Sequence, residues 1–195
     1  MRIVPAGQTR WEDIQAVFGT RGPAHRCQCQ RYKLKPREAF AKFGVEEREF
    51  RLRAQTDCEP TTGLVAYRDG EPVGWCAVEP RTAYEGLLRN NRVPWEGRDE
   101  DKADAGVWAV TCLLTRAGFR RSGISYALVR AAVDHARAGG ARALEGYPMV
   151  TKDVIVEELH VGTEGAFAAA GFTAVSRPTK RRIVMRIDFE KGTAG

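Results

Sequence analysis

The spacing of apolar residues along the chain switches between a helical and a strand-like period, and the switches outline the elements. "RIVPA" (2–6) predicts a short opening strand. Trp11, Ile14, Val17 and Phe18 then share one face of a helix, with Thr9 as a candidate N-cap and Gly19 as its stop. Residues 20–36 hold turn-formers and charges without a helical period and read as a loop. Pro36 opens a mostly helical stretch that runs to Asp57, with an interruption near Gly44. Two apolar runs flank "RDGEP", where Asp69-Gly70 is the strongest short hairpin signal in the chain. The segment 81–106 is a polar insertion, helical in part.

"VWAVTCLLT" (107–115) is a β-branched, apolar run that predicts a buried strand. A helix follows from about Arg121, since Ile124, Leu128, Ala131, Ala132 and Ala136 recur at helical spacing up to Gly139-Gly140. Residues 142–148 make a brief strand, 149–162 a loop-like region, "TEGAFAAAGF" a short helix, and the tail two strands around a basic turn. The order is βαα-ββ-β-α-β-α-β-β: one α/β domain over 1–190, with 191–195 a flexible tail. Composition agrees with a globular chain, 43% hydrophobic and 29% charged. No apolar run approaches the roughly 18 residues of a membrane span. The start lacks the apolar region of a secretory signal, and five cysteines, an odd number, do not suggest a disulfide framework, so a cytoplasmic protein is expected.

The 31 basic and 25 acidic residues leave a net charge of +6. Arginines are dispersed, clustering only briefly at Arg120-Arg121 and Lys180-Arg182, without an arm or a basic helix face. The charge suits a phosphorylated ligand better than a nucleic acid, which is not expected as a partner; nor is a membrane. "FRRSGIS" (119–125) is where such a ligand would sit. A helix start leaves backbone N–H groups unpaired at the positive end of the peptide dipoles, Gly123 keeps the approach open, and Arg120 and Arg121 add charge at the rim. A plain helix start explains the same residues, and the string is neither a Walker loop nor a three-glycine dinucleotide fingerprint.

The order of elements around it decides. A buried strand, then "RRSGIS" opening a helix, a strand, and "FAAAGF" before a final pair of strands resembles the GNAT superfamily of acetyl-CoA-dependent N-acetyltransferases. Arg120, Gly123 and Ser125 match its Arg/Gln-x-x-Gly-x-Gly/Ala signature, with serine in the last small position. The resemblance implies a mixed, mainly antiparallel α+β sheet flanked by helices, with a splay between the fourth and fifth strands. It implies acetyl-CoA as cosubstrate, held by the backbone of Leu113, Leu114 and Thr115 and by Arg120, Arg121, Ser122, Gly123, Ile124, Ser125 and Tyr126. His160 takes the place of a frequent asparagine. A homodimer paired through sheet edges is open to such a chain.

The catalytic half departs from the family. Phe167 stands where many members carry a proton-donating tyrosine, and Ala109 where some carry a glutamate base on the fourth strand. An amine must lose a proton before it attacks a thioester. Glu145, on the strand after the cofactor helix, could accept it; Tyr147, two residues on and on the same strand face, could protonate the sulfur. A solvent-facing edge for Glu145 and core packing for Tyr147 are the alternatives, and Glu79 is a third carboxylate. The acidic run from Glu96 to Asp104 reads as a solvated loop or as a lure for a cationic amine. His25, Cys27 and Cys29 lack the spacing and partners of a zinc site, so no metal is expected. Direct attack on the thioester by a small-molecule or peptide amine is the activity implied, and a non-catalytic acyl-CoA-binding or sensor domain is the alternative.

Overall fold

The computed structural model describes residues 1–90, 92–150 and 160–189. Its centre is a seven-stranded sheet in the order β1-β2-β3-β4-β5-β7-β6. The strands are β1 (Arg2–Pro5), β2 (Gly63–Arg68), β3 (Glu71–Pro80), β4 (Val107–Thr115), β5 (Ala143–Gly146), β6 (Thr173–Ser176) and β7 (Val184–Asp188). Every neighbouring pair is antiparallel except β4 and β5, which run parallel. The parallel pair requires a crossover, supplied by α5 (Ile124–Ala138). The remaining helices are α1 (Trp11–Phe18), α2 (Gly22–Cys27), α3 (Val45–Thr56), α4 (Glu85–Asn90) and α6 (Glu164–Ala168).

The hairpin, the buried strand at 107–115 and the helical stop at Gly19 lie where the sequence puts them. Asp69 and Gly70 both take positive φ, 52° and 83°, the geometry that turns a two-residue hairpin with the sheet's twist. Other boundaries differ. The N-cap of α1 is Arg10, while the Thr9 hydroxyl donates to the Ala6 carbonyl. The supposed loop at 20–36 contains α2 and a turn of 3₁₀ helix at Arg31–Lys33. The helix expected from Pro36 starts only at Val45, because Arg48 draws the preceding chain inward. Its buried guanidinium donates to the carbonyls of Arg26, Phe40 and Phe43 and stacks 3.8 Å over the Phe40 ring.

Two packed layers position the site. On one face of the sheet α5 buries Ile124, Leu128, Ala132 and Ala136 against Val78, Val110, Leu113 and Leu144. On the other, α1 packs Ile14, Val17 and Phe18 on Val65, Trp75 and Ala77, and a second cluster gathers Tyr84, Leu87 and Trp95 on Ala109, Tyr147 and Val184.

The β4–β5 ladder ends early. Four residue pairs run from Val107–Ala143 to Val110–Gly146, and among the described residues β4 then continues to Thr115 paired with β3 alone. Two features open this split. Val110 pairs with Val78 and Cys112 with Ala77, so Thr111 is an extra residue in β4, a bulge that bends the strand. The fully buried Phe167 ring fills the wedge on the α5 face: a Cβ at Gly146 would lie 2.1 Å from it. Gly146→Ala should therefore lower stability by about 1–3 kcal/mol, read as a drop in the chemical unfolding midpoint. An unchanged midpoint would mean that Phe167 does not hold the wedge.

Candidate active site

The turn between β4 and α5 is built from conformations that only some residues accept. Gly118, Arg121 and Gly123 have φ of 92°, 58° and 77°, and Gly123 is the N-cap of α5. The helix therefore begins three residues later than its sequence pattern suggests. The first helical bond recorded across this cap runs from Ala127 N–H to the Gly123 carbonyl, so the amides of Ile124, Ser125 and Tyr126 have no helical acceptor. Gly123 is exposed and a Cβ there would meet nothing within 4 Å, so its lack of a side chain serves conformation and access rather than packing. The turn is pinned from behind. Arg68 donates to the Ser122 carbonyl at 3.0 Å and the Ser122 hydroxyl donates to the Phe119 carbonyl, which turns the free amides outward. The side chains of Arg120 and Arg121 are exposed, without an ion pair among the described residues. The result is a seat of backbone donors with exposed positive charge at its rim, an arrangement chemically suited to an anion.

This seat adjoins the split. Leu113, Leu114 and Thr115 occupy the half of β4 that has lost β5, opposite Cys76, Trp75 and Gly74 of β3. Tyr126 is 42% exposed on the first turn of α5, and its hydroxyl lies 3.1 Å from where a Cβ of Gly165 would be. The N-terminal turns of α5 and α6 therefore stand side by side. His160 lies beside Tyr32 of the 31–33 turn, with ring centroids 6.4 Å apart.

Glu145 is neither a free carboxylate nor a solvent-facing one. It is completely buried and receives Arg98 at 2.5 Å and Arg186 at 3.0 Å on Oε1, with Arg81 at 3.3 Å and the Tyr147 hydroxyl at 3.0 Å on Oε2. Burial alone would raise its pKa, but hydrogen bonding and charge from Arg98, with Arg81 and Arg186, outweigh it and hold the group below its ordinary value. Glu100 bridges the same three guanidiniums. Burial pushes the Tyr147 phenol well up, and its proton is committed to Glu145. The acidic run is likewise engaged: Glu100 in this cluster, Asp104 with Arg142, Glu96 with Arg92. The insertion 81–106 is thus stitched to β5 and β7 by ion pairs, which a local reading of its charges does not reveal.

Cys29, Cys76 and Cys112 are buried thiols, Cys27 is half-buried and Cys58 is exposed. Trp75 Nε1 donates to Cys29 Sγ at 3.2 Å, and the neighbouring Cys29 thiol, then burial, push the Cys112 thiol well above its ordinary value. Burial raises Cys27 as well. Thiols held protonated are poor nucleophiles and poor metal ligands. Among the described residues no group of three or more His, Cys, Asp and Glu could hold a metal ion.

The comparisons with known proteins match this geometry. Residues 30–149 match the acetyltransferase (GNAT) family. The chain belongs to that family. No curated protein matches it in sequence. Among solved structures it resembles a GCN5-related N-acetyltransferase from Kribbella flavida, at 17% identity and a TM-score of 0.52, over 96% of this chain and 97% of the other. It also resembles the yncA protein of Salmonella typhimurium, solved with its cofactor acetyl-CoA, at 12% identity and a TM-score of 0.54, over 99% and 96%. A ribosomal-protein-alanine N-acetyltransferase from Brucella melitensis aligns at 13% identity and a TM-score of 0.54, over 97% and 100%. At these identities the likeness is one of fold. No helix among the described residues is long and apolar enough to cross a membrane.

Proposed function

We propose that the chain transfers an acetyl group from acetyl-CoA to an amine by direct attack on the thioester. The observation that carries this reading is the juxtaposition of two sets of backbone groups that lack a ladder or helical partner among the described residues: the amides that open α5, and the half of β4 beyond its pairing with β5. The first suits a diphosphate, the second the amides of a pantetheine arm, because ladder groups inside a protein need partners. Arg120, Arg121, Ser122, Gly123, Ile124, Ser125 and Tyr126 would take the diphosphate. Leu113, Leu114 and Thr115 would hold the arm, and a strand N–H such as that of Leu114 would stabilise the oxyanion. With α5 and the cofactor on one face of the sheet, the amine reaches the thioester from the other, where Tyr32 and Cys112 lie.

Glu145 and Tyr147 are structural in this reading rather than acid and base. A carboxylate clasped by three guanidiniums is a weak proton acceptor, and a phenol bonded to it has no proton to spare. These two residues, with Phe167 fully buried, are also what a non-catalytic acyl-CoA sensor would show. Incubation with acetyl-CoA and a panel of alkylamines and a peptide with a free N-terminal alanine separates the two. Release of free thiol that depends on the amine is expected; binding of acetyl-CoA without release would favour the sensor.

A further inference from the structure

Resting on the reading of the chain as an acetyltransferase, we propose that Glu79 is the proton acceptor for the attacking amine, through a relay in which the Tyr84 hydroxyl is a positioning group. Register is the first ground. Ala109 of β4 pairs with Glu79 on one side and Glu145 on the other, so two carboxylates flank it in one row across the sheet. They stand on the face away from α5, one residue before the split opens. Directly opposite residues have Cβ atoms about 5 Å apart, so either carboxylate can serve the space above Ala109. Glu145 is saturated.

Glu79 is not. Its recorded partners, the Lys33 ammonium at 2.5 Å and the Thr62 hydroxyl at 2.7 Å, both fall on Oε2. Its side chain keeps 9% exposure, and no hydrogen bond or ion pair engages Oε1 among the described residues. Lys33 also donates to Thr62 at 2.8 Å, and its ammonium stands 5.3 Å from the centroid of the Tyr84 ring.

Tyr84 supplies the second, independent ground. It is fully buried in the cluster that contains Ala109, beside Glu79 and the bulge residue Thr111, yet its hydroxyl makes no hydrogen bond of full geometry among the described residues. A buried hydroxyl left unpaired costs about 1–3 kcal/mol. Its place between Glu79 and the bulge suits a water-borne proton path. The path has length to cover: β4 advances about 3.3 Å per residue, so Leu114 lies roughly 16 Å along the strand from Ala109 and direct contact is excluded. The balance is simple. The ammonium of the acceptor gives one proton along the relay to Glu79, and the nitrogen lone pair then forms the C–N bond. As the C–S bond breaks, the second proton leaves the nitrogen for solvent and the thiolate takes one up from solvent, so a neutral amide and a thiol result and Glu79 returns its proton to solvent.

The charged and titratable groups facing this path are Lys33 from the 31–33 turn, Cys29 and Cys76 beside Tyr84, and Glu145 across Ala109. Loss of a base has a signature that loss of structure lacks: it is relieved as the amine deprotonates unaided. Glu79→Gln should reduce kcat with an alkylamine acceptor about 100-fold or more near pH 7. The deficit should shrink towards pH ~10, where the amine is itself half neutral, with acetyl-CoA affinity unchanged. Tyr84→Phe should lower kcat while the melting temperature stays near wild type, because the buried hydroxyl it removes has no hydrogen bond of full geometry among the described residues. Full activity of Glu79→Gln near neutrality, or a deficit independent of pH, overturns the assignment alone. Absence of any amine-dependent thiol release by the wild-type chain overturns it together with the acetyltransferase reading.

Discussion

Glu145→Ala should lower the free energy of unfolding by about 3–5 kcal/mol, a larger loss than any other single substitution considered. The alanine leaves Arg81, Arg98 and Arg186 facing one another, with Glu100 as the carboxylate they share. Arg81 is fully buried, so its charge cannot simply turn to water. The sign of the pH dependence follows from the depressed folded value of Glu145. Its contribution is complete above the ordinary carboxylate value of 4.5 and is lost as pH falls from there through the folded value. The wild-type chain should thus lose stability on acidification below about pH 4.5, and Glu145→Ala should lack that component. Urea unfolding of both proteins across this range measures it. Comparable stability of the two, with a selective loss of turnover, would return Glu145 to the role of base.

Gly123→Val should weaken acetyl-CoA binding at least tenfold. A left-handed backbone costs a residue with a Cβ about 1–2 kcal/mol, and a β-branched side chain fits it worst. Nothing packs against the position, so the exposed turn can relax out of the left-handed region in the free protein, and the global fold is spared. The penalty then falls on the bound state, which requires the amides of Ile124, Ser125 and Tyr126 in their present direction. Titration of the variant, beside a melting curve that stays near wild type, checks the effect. Undiminished affinity would mean that the ligand does not use this turn.

The sequence revealed most of the frame because the frame is local. A nine-residue apolar run, an Asp-Gly turn and the Ile124–Ala136 periodicity each carry their own signal. Errors arose where distant residues decide. Arg48 moves the start of α3 by capturing three carbonyls, and the positive φ of Arg121 and Gly123 delays α5, which a hydrophobic pattern does not register. The same division runs through the site. Backbone donors at Gly123 follow from a glycine before an amphipathic helix. The fate of Glu145 depends on arginines 47, 64 and 41 positions away, and the place of Glu79 opposite Ala109 depends on strand register. Charge balance among such residues is a property of the folded chain.

Calorimetric titration of the wild-type protein with acetyl-CoA and with S-acetylpantetheine, which carries the same thioester and arm but no diphosphate, tests the central claim most directly. Acetyl-CoA should bind, and the truncated thioester, which lacks the phosphoadenosine together with the diphosphate, should bind far more weakly. Equal binding of the two, or no heat with acetyl-CoA, would contradict the assignment of the Gly123 turn and the function built on it.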